Sequence, residues 1–215
     1  MTSENNTISK QLDQQKMPAP VWQHNDTQFL LHLVRAANRE TKGIILRYIR
    51  FRGNKIAYLK HLGVRIGTNC DILTTVKNFG TEPWLIEIGD RVTIAGGVVL
   101  LTHDGANRVF RHLIPGSSAW GNRFGRIKIG DNCFIGVNSI VMPGVEIGRD
   151  SIVGVGSVVN HDVQPRMVVA GVPAREICTL DEYVERYKQK MVPISDTNRD
   201  ELRQELTTYF WGERR

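Results

Sequence analysis

From Ile129 to Gln164 the chain divides without remainder into six-residue frames, IGDNCF, IGVNSI, VMPGVE, IGRDSI, VGVGSV and VNHDVQ. The first position of each frame is apolar, through Ile129, Ile135, Val141, Ile147, Val153 and Val159, and the fifth is small, through Cys133, Ser139, Val145, Ser151, Ser157 and Val163. With 41% of the chain hydrophobic, six apolar residues in one column arise by chance roughly once in two hundred trials, so the period belongs to the fold. Neither the 3.6-residue spacing of a helix nor simple alternation accounts for it, whereas a short unit that stacks on itself does. Both columns are expected to face one interior. Position two carries Gly130, Gly136, Gly148 and Gly154, with Asn160 in the last frame. These residue types tolerate a left-handed backbone or a crowded corner, so each hexapeptide predicts one short strand and one corner.

Earlier frames begin at Ile66, Ile88, Ile94 and Leu100, but the spacings from Ile66 to Ile88 and from Ile88 to Ile129 are not multiples of six. Two segments must loop out. Outside the repeats, residues 1–20 are polar and read as a mobile tail. Residues 21–63 predict a helical cap, with one helix starting at Asp26 and another over Gly43 to Leu62. The repeat domain spans 64–177 with an excursion over 104–126, and 178–215 predicts helices. There Thr179 and Glu182 form a capping box, Pro193 ends the first helix, and a second begins near Asn198. Their apolar stripes are expected to dock on the coil or on a neighbour.

The 215 residues carry a net charge of +6, but the excess sits in the first 65 residues and the repeat block is balanced. No stripe of interleaved arginine and aromatic residues runs through the repeats, which argues against nucleic acid as a partner. The basic, amphipathic stretch around Arg47, Arg50, Arg52, Lys55 and Lys60 predicts a capping helix with a solvated outer side, able to make weak contact with an anionic membrane surface. Cys70, Cys133 and Cys178 make no close-spaced framework, and no apolar run reaches a spanning length. A cytoplasmic protein is expected.

The frames resemble those of the hexapeptide-repeat acyltransferases. That resemblance implies a mainly β fold, a left-handed parallel β-helix of triangular section with three hexapeptides per turn, flanked by N-terminal and C-terminal α-helices. The hand comes from the family, since crossovers in general are right-handed. The triplet Thr102-His103-Asp104 before a loop, the stretch NFGTEPWLIEIGD from Asn78 to Asp90, and the closing AGVPAR from Ala170 to Arg175 are similar to the sugar and polysaccharide O-acetyltransferase branch.

A histidine at the base of a loop on a rigid scaffold is placed to exchange a proton near neutral pH. The resemblance implies that His103 is the general base that deprotonates an acceptor hydroxyl as it attacks acetyl-CoA. Its orienting partner is open among Asp104, Glu82, Asn78 and a backbone carbonyl, because neighbours on an extended chain point to opposite sides. The family's cofactor groove lies between subunits of a homotrimer and falls here on Gly136, Asn138, Gly154, Val155, Gly156, Asn160 and His161. Relatives often show a Thr-Lys pair where Asn160 and His161 stand, so Arg175 or Arg166 is expected to meet the phosphates. No metal is expected.

For the acceptor, Asn78, Trp84, Arg108, Arg111, Trp120 and Arg123 offer an aromatic face with hydrogen-bonding and cationic groups. That set suits a sugar or polysaccharide precursor, an acidic or nucleotide-linked one included. Competing expectations are N-acetylation of a nucleotide-linked amino sugar, acetylation of serine or an antibiotic, a zinc carbonic anhydrase-like site, and a non-catalytic binding module.

Overall fold

The computed structural model describes residues 54–117, 120–193 and 198–212. The mobile tail at 1–20, the Asp26 helix and most of the helical cap at 21–63 lie outside these residues. Within the repeats every strand is two or three residues long: β8 (Ile127–Ile129), β9 (Phe134–Ile135), β10 (Ile140–Val141), β11 (Glu146–Ile147), β12 (Ile152–Val153) and β13 (Val158–Val159). Each pairs in parallel with the strand three frames away, with Ile129 beside Ile147, Ile135 beside Val153 and Val141 beside Val159. Three hexapeptides therefore make one turn, and the three stacks of strands are the faces of a prism.

Earlier strands extend each face downward. Arg65–Ile66 (β1) and Ile86–Ile88 (β3) lie under β8, Asp71–Ile72 (β2) and Thr93–Ile94 (β4) under β9, and Val99–Leu100 (β5) under β10. The architecture is a left-handed parallel β-helix, as the sequence pattern and its resemblance imply. The last strand differs from a coil frame: Ala174–Thr179 (β15) turns back antiparallel on Met167–Gly171 (β14) and closes that edge.

The interior is the product of the two columns. None of the first- or fifth-position residues from Ile129 to Val163 is more than 4% exposed, and they are joined by Ile66, Ile72, Ile88, Ile94, Leu100 and Val169. The serine hydroxyls in the small column are not orphaned. Ser139 and Ser157 both donate to the Gly154 carbonyl and Ser151 to that of Gln164, so a narrow corner is filled without a buried unmet polar group. Cys133 is filler of the same kind, and burial pushes its thiol up to about 11.

The corners divide their work between two positions. At position two the next coil comes too close for a side chain: a Cβ on Gly136 would sit 2.7 Å from the Val153 carbonyl oxygen and the Val155 nitrogen. The left-handed backbone falls instead on position four, at Asn132, Asn138, Gly144, Asp150 and Gly156. Asparagine, aspartate and glycine adopt it at least cost.

The bottom coil is covered by the helix Lys55–His61, which buries Tyr58 and Leu59. Lys55, expected on a solvated basic face, instead points its ammonium at the coil and donates to the carbonyls of Ile72 and Thr74 at 2.7 and 2.9 Å. An edge strand leaves such carbonyls unpaired, and a lysine is one way to cover them. At the other end, Thr179 and Glu182 form the expected reciprocal cap on the helix Leu180–Tyr187, and Asn198 caps the helix Arg199–Trp211. Neither helix buries a residue within this chain, and Val184, Tyr209 and Phe210 stay exposed. The first of them lies against β14 and β15, with Leu180, Tyr183 and Tyr187 half-buried and the Leu180 amide bonded to the Arg166 carbonyl. Among the described residues no helix is long and apolar enough to cross a membrane.

Candidate active site

Two loops leave the prism and meet at one corner. The first runs from Leu73 to Leu85 and is pinned by Phe79, which is fully buried, and by Thr74. The Thr74 hydroxyl donates to the Val98 carbonyl at 2.8 Å and accepts from the Asn78 amide at 2.8 Å. Asn78 is therefore spent on holding its own loop. Gly80 then turns the chain with φ +66, and a Cβ there would lie 2.8 Å from the Thr102 hydroxyl oxygen. Only glycine meets both demands. Beyond it the chain delivers Thr81 and Glu82 to the coil.

The second loop leaves at His103–Asp104 (β6) and returns at Arg123–Phe124 (β7), paired antiparallel so that His103 faces Phe124 across the ladder. The Gly125 amide donates to the Thr102 carbonyl and restores the coil. The Phe124 ring centroid lies 5.9 Å from that of the imidazole.

At this junction Glu82 Oε2 lies 2.8 Å from His103 Nδ1 and accepts from the Thr102 hydroxyl at 2.7 Å, while Oε1 accepts from the Thr81 hydroxyl at 2.6 Å. Thr81 Oγ1 is also 3.3 Å from Nδ1. The Thr81 hydroxyl foremost, then those contacts from Thr102 and His103, hold the Glu82 carboxyl down at about 2, against a burial that works the other way. An ionised carboxylate can only accept, so Nδ1 carries the proton and Nε2 of the neutral ring keeps its lone pair. The imidazole is 36% exposed and the glutamate side chain 17%, so the ring is the more open of the two to solvent. A base so oriented can take a proton from a hydroxyl brought to Nε2.

Asp104 is placed differently. Its Oδ1 accepts from the Ala106 amide at 2.8 Å, which shapes the start of the loop, and it makes no bond to the imidazole. With Ala106, Asn107, Phe110, Trp120, Gly121 and Arg123 it lines a cleft of about 230 Å3 within the second loop, whose lining includes neither His103 nor Phe124. Phe110 and Trp120 pack at 5.8 Å, and Arg111 donates to the Asn122 side chain, which in turn accepts from Asn107. Arg108 is exposed outside the cleft. Trp84, 60% exposed, belongs to a separate hollow with Arg65 and Arg126 and does not join this group. A larger cleft of about 770 Å3 lies against the C-terminal helix, lined by Val192, Pro193, Leu206 and Tyr209 among others, and holds none of this chemistry.

The nine residues expected along a cofactor groove are spread over the prism. Gly136, Asn138, Gly154, Val155 and Gly156 share the corner that follows β9 and β12, with Gly156 open to space and Val155 71% exposed. Asn160 and His161 follow β13, on the corner that carries His103 two coils lower, and the His161 ring bonds its neighbour Asn160 at 2.8 Å. Arg166 is on the third corner and paired with Asp181 at 2.6 Å. Arg175 stands on β15 and, among the described residues, donates to the Ala174 carbonyl. One chain alone does not bring the two corners together. Among the described residues no group of three or more histidine, cysteine and acidic side chains comes together as a metal site.

Glu82 stood among the sequence candidates; Gly80, Thr81 and Thr102 lay inside the stretches that carry the family resemblance without being given a role, and Phe124 was not singled out. Nothing in the six-residue period marks them, because they act across the two interruptions of that period.

Residues 126–161 match the hexapeptide repeat of succinyl-transferase family. The chain is 44% identical to Protein CapG of Staphylococcus aureus over 58% of this chain and 71% of that protein. It is 34% identical to the galactoside O-acetyltransferase of Escherichia coli, over 49% of this chain and 50% of that one. Among solved structures, a hexapeptide-repeat acetyltransferase of Vibrio cholerae in complex with acetyl-coenzyme A superposes with a TM-score of 0.44 at 25% identity, covering 71% and 84% of the two chains.

Proposed function

The chain belongs to the hexapeptide-repeat acyltransferases, and from that premise we propose that it is an acetyl-CoA-dependent O-acetyltransferase whose acceptor is a sugar hydroxyl, in a capsule or envelope polysaccharide or its precursor. The observation that carries the reading is the Thr81–Glu82–Thr102–His103 cluster, an oriented imidazole that reaches solvent where the second loop leaves the coil. His103 Nε2 takes the proton of the acceptor hydroxyl while its oxygen attacks the thioester carbonyl. Glu82 stabilises the imidazolium that forms, and the proton then passes to the departing thiolate. No covalent enzyme intermediate is required.

The cleft in the second loop, which begins at the residue after His103, is smaller than a typical ligand pocket of ~300–1,000 Å3, which suits one sugar ring with the rest of the acceptor outside. Phe110 and Trp120 supply an aromatic wall, and Arg123 a cation suited to an acidic or nucleotide-linked sugar.

The donor is assigned to a groove between subunits of a homotrimer. The corner glycines and exposed Val155 of one chain then meet the His103 corner of the next, with Arg175 left free of a carboxylate for the phosphates. Unpaired Cys70, Cys133 and Cys178 are in keeping with a reducing, cytoplasmic setting.

The test is acetyl transfer from acetyl-CoA to a panel of neutral, acidic and nucleotide-linked sugars, followed by release of free thiol. His103→Ala is expected to lower turnover by roughly 10²–10⁴-fold, the usual contribution of a general base, with the fold intact by circular dichroism. Near-normal turnover by that variant removes His103 from the mechanism, and no acceptor-dependent thiol with any sugar removes the sugar reading.

A further inference from the structure

Glu82 is held by more than the histidine it faces. Its two oxygens take three donors: Thr81 at 2.6 Å on Oε1, and Thr102 at 2.7 Å with His103 Nδ1 at 2.8 Å on Oε2. We propose that Thr102 and Thr81 are positioning residues that clamp the Glu82 carboxylate in one rotamer and thereby fix the His103 ring as the Nδ1–H tautomer, with Gly80 kept small to admit the Thr102 hydroxyl. The proposal rests on the general-base reading for its functional consequence, but its structural content stands apart from it.

The geometry leaves each group one role. A hydroxyl has a single proton, and those of Thr81 and Thr102 are aimed at the carboxylate. Thr81 Oγ1, 3.3 Å from Nδ1, is therefore a second acceptor for the ring proton and not a donor to it. Both neighbours of Nδ1 ask for N–H, so the tautomer is over-determined.

Thr102 is 1% exposed and precedes His103 on the coil, so its hydroxyl is a fixed point from which Glu82 is set. A glutamate side chain has three rotatable bonds, and a hydrogen bond to the imidazole alone would leave its far oxygen free to swing. Thr81 removes that freedom. The cluster also joins both excursions to the coil, because Thr81 and Glu82 come from the first, and His103 opens the second. The Gly80 backbone fits the same logic, since a methyl group there would meet the Thr102 hydroxyl oxygen at 2.8 Å.

The experiment reads the ring nitrogens of His103 by ¹⁵N NMR in the unliganded full-length protein, with signals assigned by their loss in His103→Asn. It compares wild type with Thr102→Val, Thr102→Ser, Thr81→Val and Gly80→Ala at a pH where the ring is neutral. The expected result is one tautomer, protonated at Nδ1, in wild type and in the serine variant. The two valine variants and Gly80→Ala should show averaged shifts with Nε2–H populated.

Thr81 is exposed, so its variant remains informative should loss of the buried Thr102 hydroxyl impair folding. In acetyl transfer, Thr102→Val should lose roughly ten- to a hundredfold in kcat, the worth of one hydrogen bond to a charged group, with the KM for acetyl-CoA unchanged and Thr102→Ser restoring the rate. Ring-nitrogen shifts in both valine variants that match wild type overturn the clamp, whatever happens to turnover. A lost tautomer preference alongside an active His103→Ala supports the clamp and defeats only the base assignment.

Discussion

At the scale of single residues the site is an exercise in donor counting. Glu82 stays ionised because three donors face two oxygens, and this has a consequence for folding as well as catalysis. A carboxyl whose folded value is about 2 against an ordinary 4.5 contributes stability that is fully present above 4.5 and lost as the pH falls toward 2. Thermal unfolding measured from pH 5 to pH 2 should therefore decline more steeply in wild type than in Glu82→Gln, whose remaining decline comes from other depressed carboxyls such as Asp90 and Glu182. Parallel curves for the two proteins contradict the ionised state. The glutamate appeared in the sequence only as one of several candidates, because Asp104 is adjacent to His103 in the chain and Glu82 is not. Backbone direction decided the matter. Asp104 leaves the ring on the loop side and binds Ala106, while Glu82 arrives from a different coil.

At the scale of elements, the coil is set by how closely successive turns approach. Position-two glycines are there for clearance, and the left-handed residues two places later make the turn. Gly136→Val should accordingly destabilise the protein by about 3 kcal/mol, since a side chain would displace backbone atoms of the next coil that cannot yield. Gly105, with nothing within 4 Å of a Cβ, should tolerate alanine within about 0.5 kcal/mol. Urea midpoints at constant slope distinguish the two, and equal midpoints would show that corner crowding is not what selects glycine. The period itself was legible because burial repeats it, from Ile129 through Val159. The C-terminal helices were legible as helices by their caps, yet among the described residues their apolar stripes are only half covered, because amphipathicity states that a face needs a partner and not where the partner is.

At the scale of the whole molecule, the prism leaves apolar residues on successive coils of one corner, with Val137 below Val155 and Val172 following, all exposed. A rigid stack with an apolar ridge is suited to side-by-side assembly, and the proposed donor groove needs two corners that one chain holds apart. Val137→Glu should convert a species of three chain masses into single chains in sedimentation, with the coil's circular dichroism retained. A wild-type protein that sediments as a single chain at micromolar concentration defeats the shared groove. Acetyl-CoA turnover should fall with assembly in the same variant.

The sequence by itself determined the repeat, the inward columns, the two interruptions and the histidine that opens the second of them, because each is written in a local spacing that burial must obey. Tertiary structure alone decided which acid faces His103, that two threonines and a glycine surround that acid, and that Lys55 turns from solvent to the edge of the coil. The reason is physical. A six-residue period fixes what lies above and below within a face, whereas Glu82 and His103 meet only because two loops, each free of that period, leave neighbouring coils and are drawn back to one corner.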